Sequence, residues 1–234
     1  MDRIELYVLD LRDRLREPVE RYLSCFDEER RASILRRRSM GDRARTVWTE
    51  LLARWAIERR TGMCAAEIDI ARDAQGKPYV LEAGGQGEAR RSSLEISLSH
   101  SGPWAACSLG AAPSGVDVET DRRATLDIAR RFFSEEEHLS LKAQWDRDPE
   151  EGRRALLRHW TLKEGYAKCT GTPLAVALKI ADRRSLLSCE GDVGGRELEL
   201  PGGAVLAVCS APALLPEALS WASPEDIEAR LALR

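Results

Sequence analysis

Three short stretches of the sequence carry side chains whose types and spacing could bind phosphate or a metal ion. The first is Ser99-His100-Ser101, at the end of a predicted strand. Its hydroxyls and imidazole offer several hydrogen bonds where the chain turns, a donor set that suits a phosphate or another oxyanion. Turn-forming serines beside a histidine with an ordinary hydrogen bond would explain the same residues, so both interpretations stay open.

The second stretch is Gly115-Val116-Asp117-Val118-Glu119. Because alternate residues of a strand share a face, Asp117 and Glu119 are expected to project together while the valines enter the core. Neighbouring carboxylates repel each other, and Mg²⁺, which takes one or two protein carboxylates plus waters and substrate phosphates, would relieve that repulsion. An ordinary strand with a solvated acidic face is the alternative.

The third stretch is a helix on which Trp160, Lys163, Glu164, Ala167 and Lys168 form one stripe. The Glu164–Lys168 pair has the i,i+4 spacing that most often marks a surface salt bridge. Beside a metal site, the same face would instead supply a third carboxylate and two cations for phosphate oxygens. Trp160 is interpreted as a core residue.

The bulk composition bounds the class of protein that carries these stretches. The chain has 234 residues, 43% of them hydrophobic and 32% charged, with a net charge of −3, so a globular protein is expected and a nucleic-acid binder is not. Its six cysteines show no CxxC or CxH spacing, which predicts neither disulfides nor a zinc site and favours the cytoplasm. No apolar run approaches the roughly 20 residues that a membrane helix needs.

Hydrophobic periodicity predicts the elements that position the three stretches. Long helices are expected from about Asp42 to Arg60 and from about Gly152 to Lys168, and Pro113 marks a joint between domains 1–113 and 114–234. Strands and helices are mixed without strict alternation, which predicts an α+β fold. The short strands expected after the second long helix are Ala177–Ile180, Ser185–Ser188, Glu197–Leu200 and Val205–Cys209.

In sequence order, these segments resemble the Sfp-type phosphopantetheinyl transferases, which activate peptide and polyketide synthases. Order and spacing agree over roughly Phe26 to Pro173. Two positions depart from the family pattern: Ser97, where asparagine is frequent, and Gly165, where alanine or serine is usual. The matching segments are Arg45-Thr46, Gly76-Lys77-Pro78, Ser99-His100-Ser101, Gly115-Val116-Asp117-Val118-Glu119, Ala129-Arg130-Arg131-Phe132-Phe133-Ser134-Glu135-x-Glu137 and Trp160-x-x-Lys163-Glu164-x-x-x-Lys168.

The resemblance implies that the phosphopantetheine arm of coenzyme A is transferred to a serine of an apo acyl or peptidyl carrier protein, with release of adenosine 3′,5′-bisphosphate. It also implies a Mg²⁺ ion held by Asp117, Glu119 and Glu164, and a monomer built of two similar α+β halves related by a pseudo-twofold. The active site would lie at the junction of the halves. The N-terminal half would contact the adenosine end and phosphates, and the C-terminal half would carry the metal site and the catalytic helix.

The same resemblance gives roles to single residues. Lys168 and Lys163 would stabilise charge on the departing phosphate, and Glu164, directly or through a metal-bound water, would take the serine proton. His100, with Ser99, would hold phosphate oxygens at the catalytic centre. The basic and aromatic segment Arg130–Phe133 is a candidate docking edge for the carrier. Further coenzyme A contacts are expected at Arg30, Arg45, Thr46, Lys77 and Pro78.

Two other functions fit parts of the pattern. One is a Mg²⁺-dependent nucleotide or phosphoester hydrolase, although the sequence has no GxxxxGK[ST] loop and no histidine cluster. The other is a non-catalytic module that binds carrier proteins. Retention of Asp117, Glu119, Glu164 and Lys168 argues against such a loss of activity.

Overall fold

The computed structural model describes residues 3–83, 89–120 and 125–231. They divide into two compact units: an N-terminal unit of residues 5–111 and 216–231, and a C-terminal unit of residues 3–4 and 112–215. The division therefore differs from the expected one at the chain ends, because residues 216–231 pack with the N-terminal unit. Helices and strands occur in both units, so the α+β prediction is confirmed.

The described part of the chain has the following elements. The strands are β1 (Glu5–Asp10), β2 (Asp69–Arg72), β3 (Pro78–Ala83), β4 (Ala89–Arg91), β5 (Glu95–Ser101), β6 (Trp104–Gly110), β7 (Ser114–Glu119), β8 (Gly194–Leu200), β9 (Ala204–Ser210) and β10 (Ser220–Ala222). The helices are α1 (Glu28–Leu35), α2 (Met40–Thr61), α3 (Leu126–Phe132), α4 (Glu135–Arg147), α5 (Pro149–Thr170), α6 (Leu174–Ile180), α7 (Arg183–Ser188) and α8 (Pro224–Leu231).

The N-terminal unit contains one sheet of order β10-β1-β6-β5 and a second of order β2-β3-β4. Parallel pairing of β10 with β1 explains why the C-terminal segment belongs to this unit. The helix α2 supplies much of the core through its apolar stripe, including the fully buried Trp48, Leu51 and Leu52. It begins where the Ser39 side chain accepts a hydrogen bond from Asp42 N and ends at Gly62, whose φ of 75° suits glycine.

The C-terminal unit is built on the antiparallel sheet β7-β9-β8, against which α5 packs. The helix α5 begins at Pro149 because the Asp148 side chain caps the backbone N–H groups of Glu150 and Glu151. It ends at Gly171, where φ is 71°. The long helix predicted from the sequence is therefore present, and it crosses the strand that carries Asp117 and Glu119.

Two predicted strands are wrong. Residues 177–180 lie in the helix α6 and residues 185–188 in the helix α7. The Asp182 side chain accepts a hydrogen bond from Ser185 N and so caps α7, which favours a helix over an extended chain. Short apolar runs do not by themselves distinguish a strand from a short helix, and this ambiguity applies to α6, which has no side-chain cap.

All six cysteines are free thiols. Within residues 3–83, 89–120 and 125–231, every helix is too short or too polar to cross a bilayer.

Candidate active site

A salt bridge between α5 and β7 forms the centre of the candidate site in the C-terminal unit. Lys168 Nζ lies 2.6 Å from Asp117 Oδ1 and 4.0 Å from Glu164 Oε2, and it also donates to the Val116 carbonyl oxygen at 3.2 Å. The sequence prediction that Val116 and Val118 enter the core holds, since both are fully buried. Asp117 is buried as well, with 2% of its surface exposed, so it does not belong to a solvated acidic face.

Two glycines allow the helix to lie directly on the strand. A Cβ atom on Gly115 would stand 2.0 Å from the Gly165 carbonyl oxygen and 2.4 Å from Cys169 N, distances that no side chain tolerates. Gly165 therefore lies over Gly115, with Glu164 on one side of it and Lys168 one turn further along α5. This backbone contact brings both charged side chains to Asp117.

The surroundings of Glu164 and Lys168 shift the pKa of both side chains. Burial raises the pKa of Glu164 to about 7, and the negative charge of Asp117 adds to the rise, with a smaller contribution from Glu119. Burial alone would lower the pKa of Lys168, but the carboxylates of Asp117 and Glu164 outweigh it and raise that pKa. The carboxylates of Asp117 and Glu164 thus both interact with the Lys168 ammonium group.

The donor set fits Mg²⁺ by its chemistry, because all three groups are hard oxygen ligands. Within the described residues, no group of three or more His, Cys, Asp and Glu side chains is placed so that it could hold a metal ion by itself. Mg²⁺ seldom needs such a cage, since it usually binds one or two carboxylates and takes its remaining ligands from water and substrate phosphates. Asp117 and Glu164, which share the Lys168 ammonium, are the residues here that suit this mode of binding.

Lys163 lies differently from the phosphate contact that the resemblance implies. Its side chain is fully buried, and Nζ donates to Glu137 Oε2 at 2.7 Å and to the Leu178 carbonyl oxygen at 2.8 Å. The ammonium is therefore enclosed within the C-terminal unit and turned away from the face that carries Glu164. The i,i+4 stripe misled the sequence prediction because consecutive helix residues differ in direction by about 100°.

In the N-terminal unit, Ser99 and His100 lie near the end of β5, opposite Ala106 and Ala105 of β6, and both are half-buried. The turn at Lys77-Pro78 is closed by Asp73, whose Oδ1 accepts hydrogen bonds from the backbone N–H groups of Gln75 and Lys77. Lys77 Nζ lies 3.1 Å from Glu95 Oε2. Glu95, Ser99 and His100 are all on β5, so this strand carries the serine and the histidine and also contacts Lys77.

The predicted phosphate contact Arg30 belongs to a cluster around a buried carboxylate. Arg30 pairs with Glu50 Oε1 of α2, and Arg72 of β2 reaches the same oxygen at 2.6 Å. Arg72 also donates to the Gly76 carbonyl oxygen at 3.1 Å and so braces the turn before Lys77. The sequence did not predict a role for Arg72. The one available signal was Glu50, an acidic residue inside the apolar stripe of α2, which requires a basic partner.

The remaining predicted contacts in this unit, Arg45 and Thr46, lie in the first turns of α2. Arg45 pairs with Asp42 and donates to the Gly102 carbonyl oxygen at 3.2 Å, just after the Ser99-His100-Ser101 stretch. The Thr46 hydroxyl donates to the Asp42 carbonyl oxygen at 2.8 Å and is buried. Arg45 is thus anchored beside the turn that follows β5.

Both units match families of known proteins. Residues 113–201 match the 4′-phosphopantetheinyl transferase superfamily, and residues 15–111 match the N-terminal domain of 4′-phosphopantetheinyl transferases. The chain is 32% identical over 176 residues to the 4′-phosphopantetheinyl transferase psf-1 of Bacillus pumilus, covering 75% of this chain and 70% of that protein. It is 28% identical over 225 residues to the 4′-phosphopantetheinyl transferase Sfp of Bacillus subtilis (strain 168), covering 90% and 93%. The chain therefore belongs to the Sfp-type family of 4′-phosphopantetheinyl transferases, as its motifs predict.

Proposed function

We propose that this chain transfers the 4′-phosphopantetheine arm of coenzyme A to a serine of an apo acyl or peptidyl carrier protein in a Mg²⁺-dependent reaction. The serine oxygen forms a bond to the phosphorus next to the pantetheine. The bond from that phosphorus to the bridging oxygen breaks, and adenosine 3′,5′-bisphosphate leaves. The observation that carries this proposal is the cluster of Asp117, Glu164 and Lys168, which offers carboxylates to a metal ion and an ammonium group to a diphosphate.

Asp117, Glu119 and Glu164 would hold the metal. A bound Mg²⁺ would neutralise diphosphate charge and polarise the attacked phosphorus. Burial and the charge of Asp117, which together raise the pKa of Glu164, support this assignment, because a divalent cation would stabilise both carboxylates.

Lys168 would stabilise the charge that grows on the departing phosphate. Lys168 lies on α5, and Asp117 of β7 holds its ammonium in place, so little reorganisation is needed during the reaction. Glu164 would accept the proton of the carrier serine, directly or through water.

Residues of the N-terminal unit would bind the rest of coenzyme A. Ser99 and His100 would hold diphosphate oxygens, and Lys77 with Pro78 would lie beside the adenosine. The 3′-phosphate requires cations, and the pair of guanidinium groups on Glu50 meets that need better than Arg30 alone. Further contacts would come from Arg45 and Thr46.

The carrier protein would dock on the edge Arg130–Phe132, since Phe133, the fourth residue of the expected edge, is buried against Lys163. Arg130 and Arg131 are exposed, and the Arg131 guanidinium lies 5.2 Å from the ring centre of Phe132. Basic groups beside an aromatic side chain suit an acidic helical partner. We further propose that the enzyme acts as a monomer in the cytoplasm, where its free thiols persist.

Intact-mass spectrometry of a panel of apo carrier proteins, incubated with the enzyme, coenzyme A and Mg²⁺, tests the proposal. The expected result is the mass of one phosphopantetheine arm on one serine, lost when a chelator is added. A hydrolase would degrade coenzyme A without changing any carrier. A non-catalytic module would bind a carrier and leave both masses unchanged.

A further inference from the structure

Lys163 has three partners for its ammonium group in a site closed to solvent. Besides Glu137 Oε2 at 2.7 Å and the Leu178 carbonyl oxygen at 2.8 Å, the face of the Phe133 ring lies with its centre 4.8 Å from Nζ. An ammonium has three N–H donors. Two oxygens and one aromatic face therefore satisfy this buried cation.

The three partners come from three different segments. Glu137 lies in the first turn of α4, where it forms a capping box with Ser134. Phe133 is the residue between α3 and that cap, and Leu178 belongs to α6. A single side chain thus ties α5 to the start of α4, to the end of α3 and to α6.

Stability alone does not account for this arrangement. Removal of the Lys163 ammonium and the Glu137 carboxylate from water costs free energy, which the attraction within a buried ion pair often does not repay. A pair of apolar residues of similar volume would fill the same space without that cost. The geometry that the pair enforces is the property that apolar residues would not reproduce.

Lys163 and Gly165 are the two neighbours of Glu164 in sequence, and both are fixed. Gly165 lies against Gly115 of β7, with its carbonyl oxygen 2.0 Å from where a Gly115 Cβ would be. Lys163 is fixed on another side of the helix by Glu137. Since each residue turns the helix by about 100°, two such anchors set the direction in which the side chain between them points.

We propose that Lys163 is a positioning residue, which through Glu137, Leu178 and Phe133 sets the rotation of α5 that turns Glu164 toward Asp117. The inference rests on the proposed function, because it concerns the same carboxylates. Without the anchor, α5 keeps its contact with β7 but Glu164 samples several directions. Misplacement of a reacting group by about 1 Å can cost on the order of 100-fold in rate.

The test uses the double variant Lys163→Met/Glu137→Gln, which removes both charges and keeps a capping-box residue at position 137. Two quantities are measured: kcat for transfer to a carrier, and the affinity for Mn²⁺ in the presence of coenzyme A, read by electron paramagnetic resonance. The matched control is Arg183→Met/Glu197→Gln, which removes another pair of the same unit, joined at 2.7 and 2.5 Å. Thermal unfolding is followed for each protein.

We expect the Lys163/Glu137 variant to unfold cooperatively, with kcat about 30- to 100-fold lower and Mn²⁺ affinity about tenfold weaker, whereas the control keeps both. A cooperatively folded variant with unchanged kcat or unchanged Mn²⁺ affinity would overturn the inference. If the variant does not fold, Lys163→Met/Glu137→Met, in which the pair is wholly apolar, decides by the same criteria. Absence of transfer by the wild-type enzyme would instead refute the proposed function.

Discussion

Lys168 Nζ lies 2.6 Å from Asp117 Oδ1, which joins α5 to a strand residue 51 positions earlier in the chain. The same ammonium is 4.0 Å from Glu164 Oε2, so it stands between the two carboxylates. The contact with Glu164 has an i,i+4 spacing that is visible in the sequence, whereas the contact with Asp117 has no local sequence pattern. The result is a fixed positive charge at the position where we propose that the diphosphate binds.

Replacement of Lys168 by alanine tests that charge. We expect kcat to fall by about 100-fold or more, because a preorganised cation is lost from the departing phosphate. The control Lys142→Ala removes an ammonium of the same unit that pairs with the exposed Asp146, and it should leave kcat unchanged. Initial rates of transfer at saturating coenzyme A provide the measurement, and a kcat for Lys168→Ala within threefold of wild type would remove Lys168 from the mechanism.

Gly115→Ala should destabilise the C-terminal unit and abolish transfer. Its new methyl group would meet the Gly165 carbonyl oxygen at 2.0 Å, and forcing α5 off β7 should cost at least about 2 kcal/mol of unfolding free energy.

Gly165→Ala is the matched comparison. Its Cβ would stand 3.4 Å from the Gly115 carbonyl oxygen, and alanine regains helix propensity, so stability should stay within about 1 kcal/mol of wild type. Urea unfolding measures both variants. Equal stability of the two would show that the close contact at Gly115 is not required.

Arg72→Ala should weaken recognition of the 3′-phosphate selectively. The loss of one charge-assisted contact should raise KM for coenzyme A about tenfold and leave KM for 3′-dephospho-coenzyme A nearly unchanged. The control Arg90→Ala removes a guanidinium that is 75% exposed and pairs with Glu82. Steady-state kinetics with both substrates decide, and an equal rise in the two KM values would mean that Arg72 only supports Glu50 and the turn at Gly76.

Charge reversal at the docking edge, Arg130→Glu/Arg131→Glu, should raise KM for an acidic carrier roughly tenfold without changing KM for coenzyme A. The control Arg154→Glu reverses an exposed guanidinium of α5 in the same unit. Kinetics with carrier as the varied substrate measure the effect. Unchanged affinity for every carrier tested would dismiss this edge as the docking surface.

The sequence predicted the long helices well, because their apolar residues recur at helical spacing over many turns. The helix expected from about Asp42 to Arg60 is α2, with bounds Met40–Thr61. The errors fell on the short apolar runs at 177–180 and 185–188, and the Asp182 capping hydrogen bond accounts for the second of them, which lies in α7.

Within the site, the valine–carboxylate alternation of β7 predicted the buried positions of Val116 and Val118 but not the burial of Asp117. That burial arises because α5 covers the strand, a contact between segments far apart in sequence. Lys163 and Arg72 show the same limit. Their roles depend on Glu137 and Glu50, which no local pattern connects to them.

The most direct test of the account is the binding of Mn²⁺ in the presence of coenzyme A to the wild-type enzyme, to Asp117→Asn and to Glu164→Gln. Each substitution keeps the shape of the side chain and removes one anionic oxygen ligand. We predict that the wild-type enzyme binds Mn²⁺ and that each variant binds it at least about tenfold more weakly while still unfolding cooperatively. Equal Mn²⁺ affinity in all three proteins would contradict the metal site at Asp117 and Glu164.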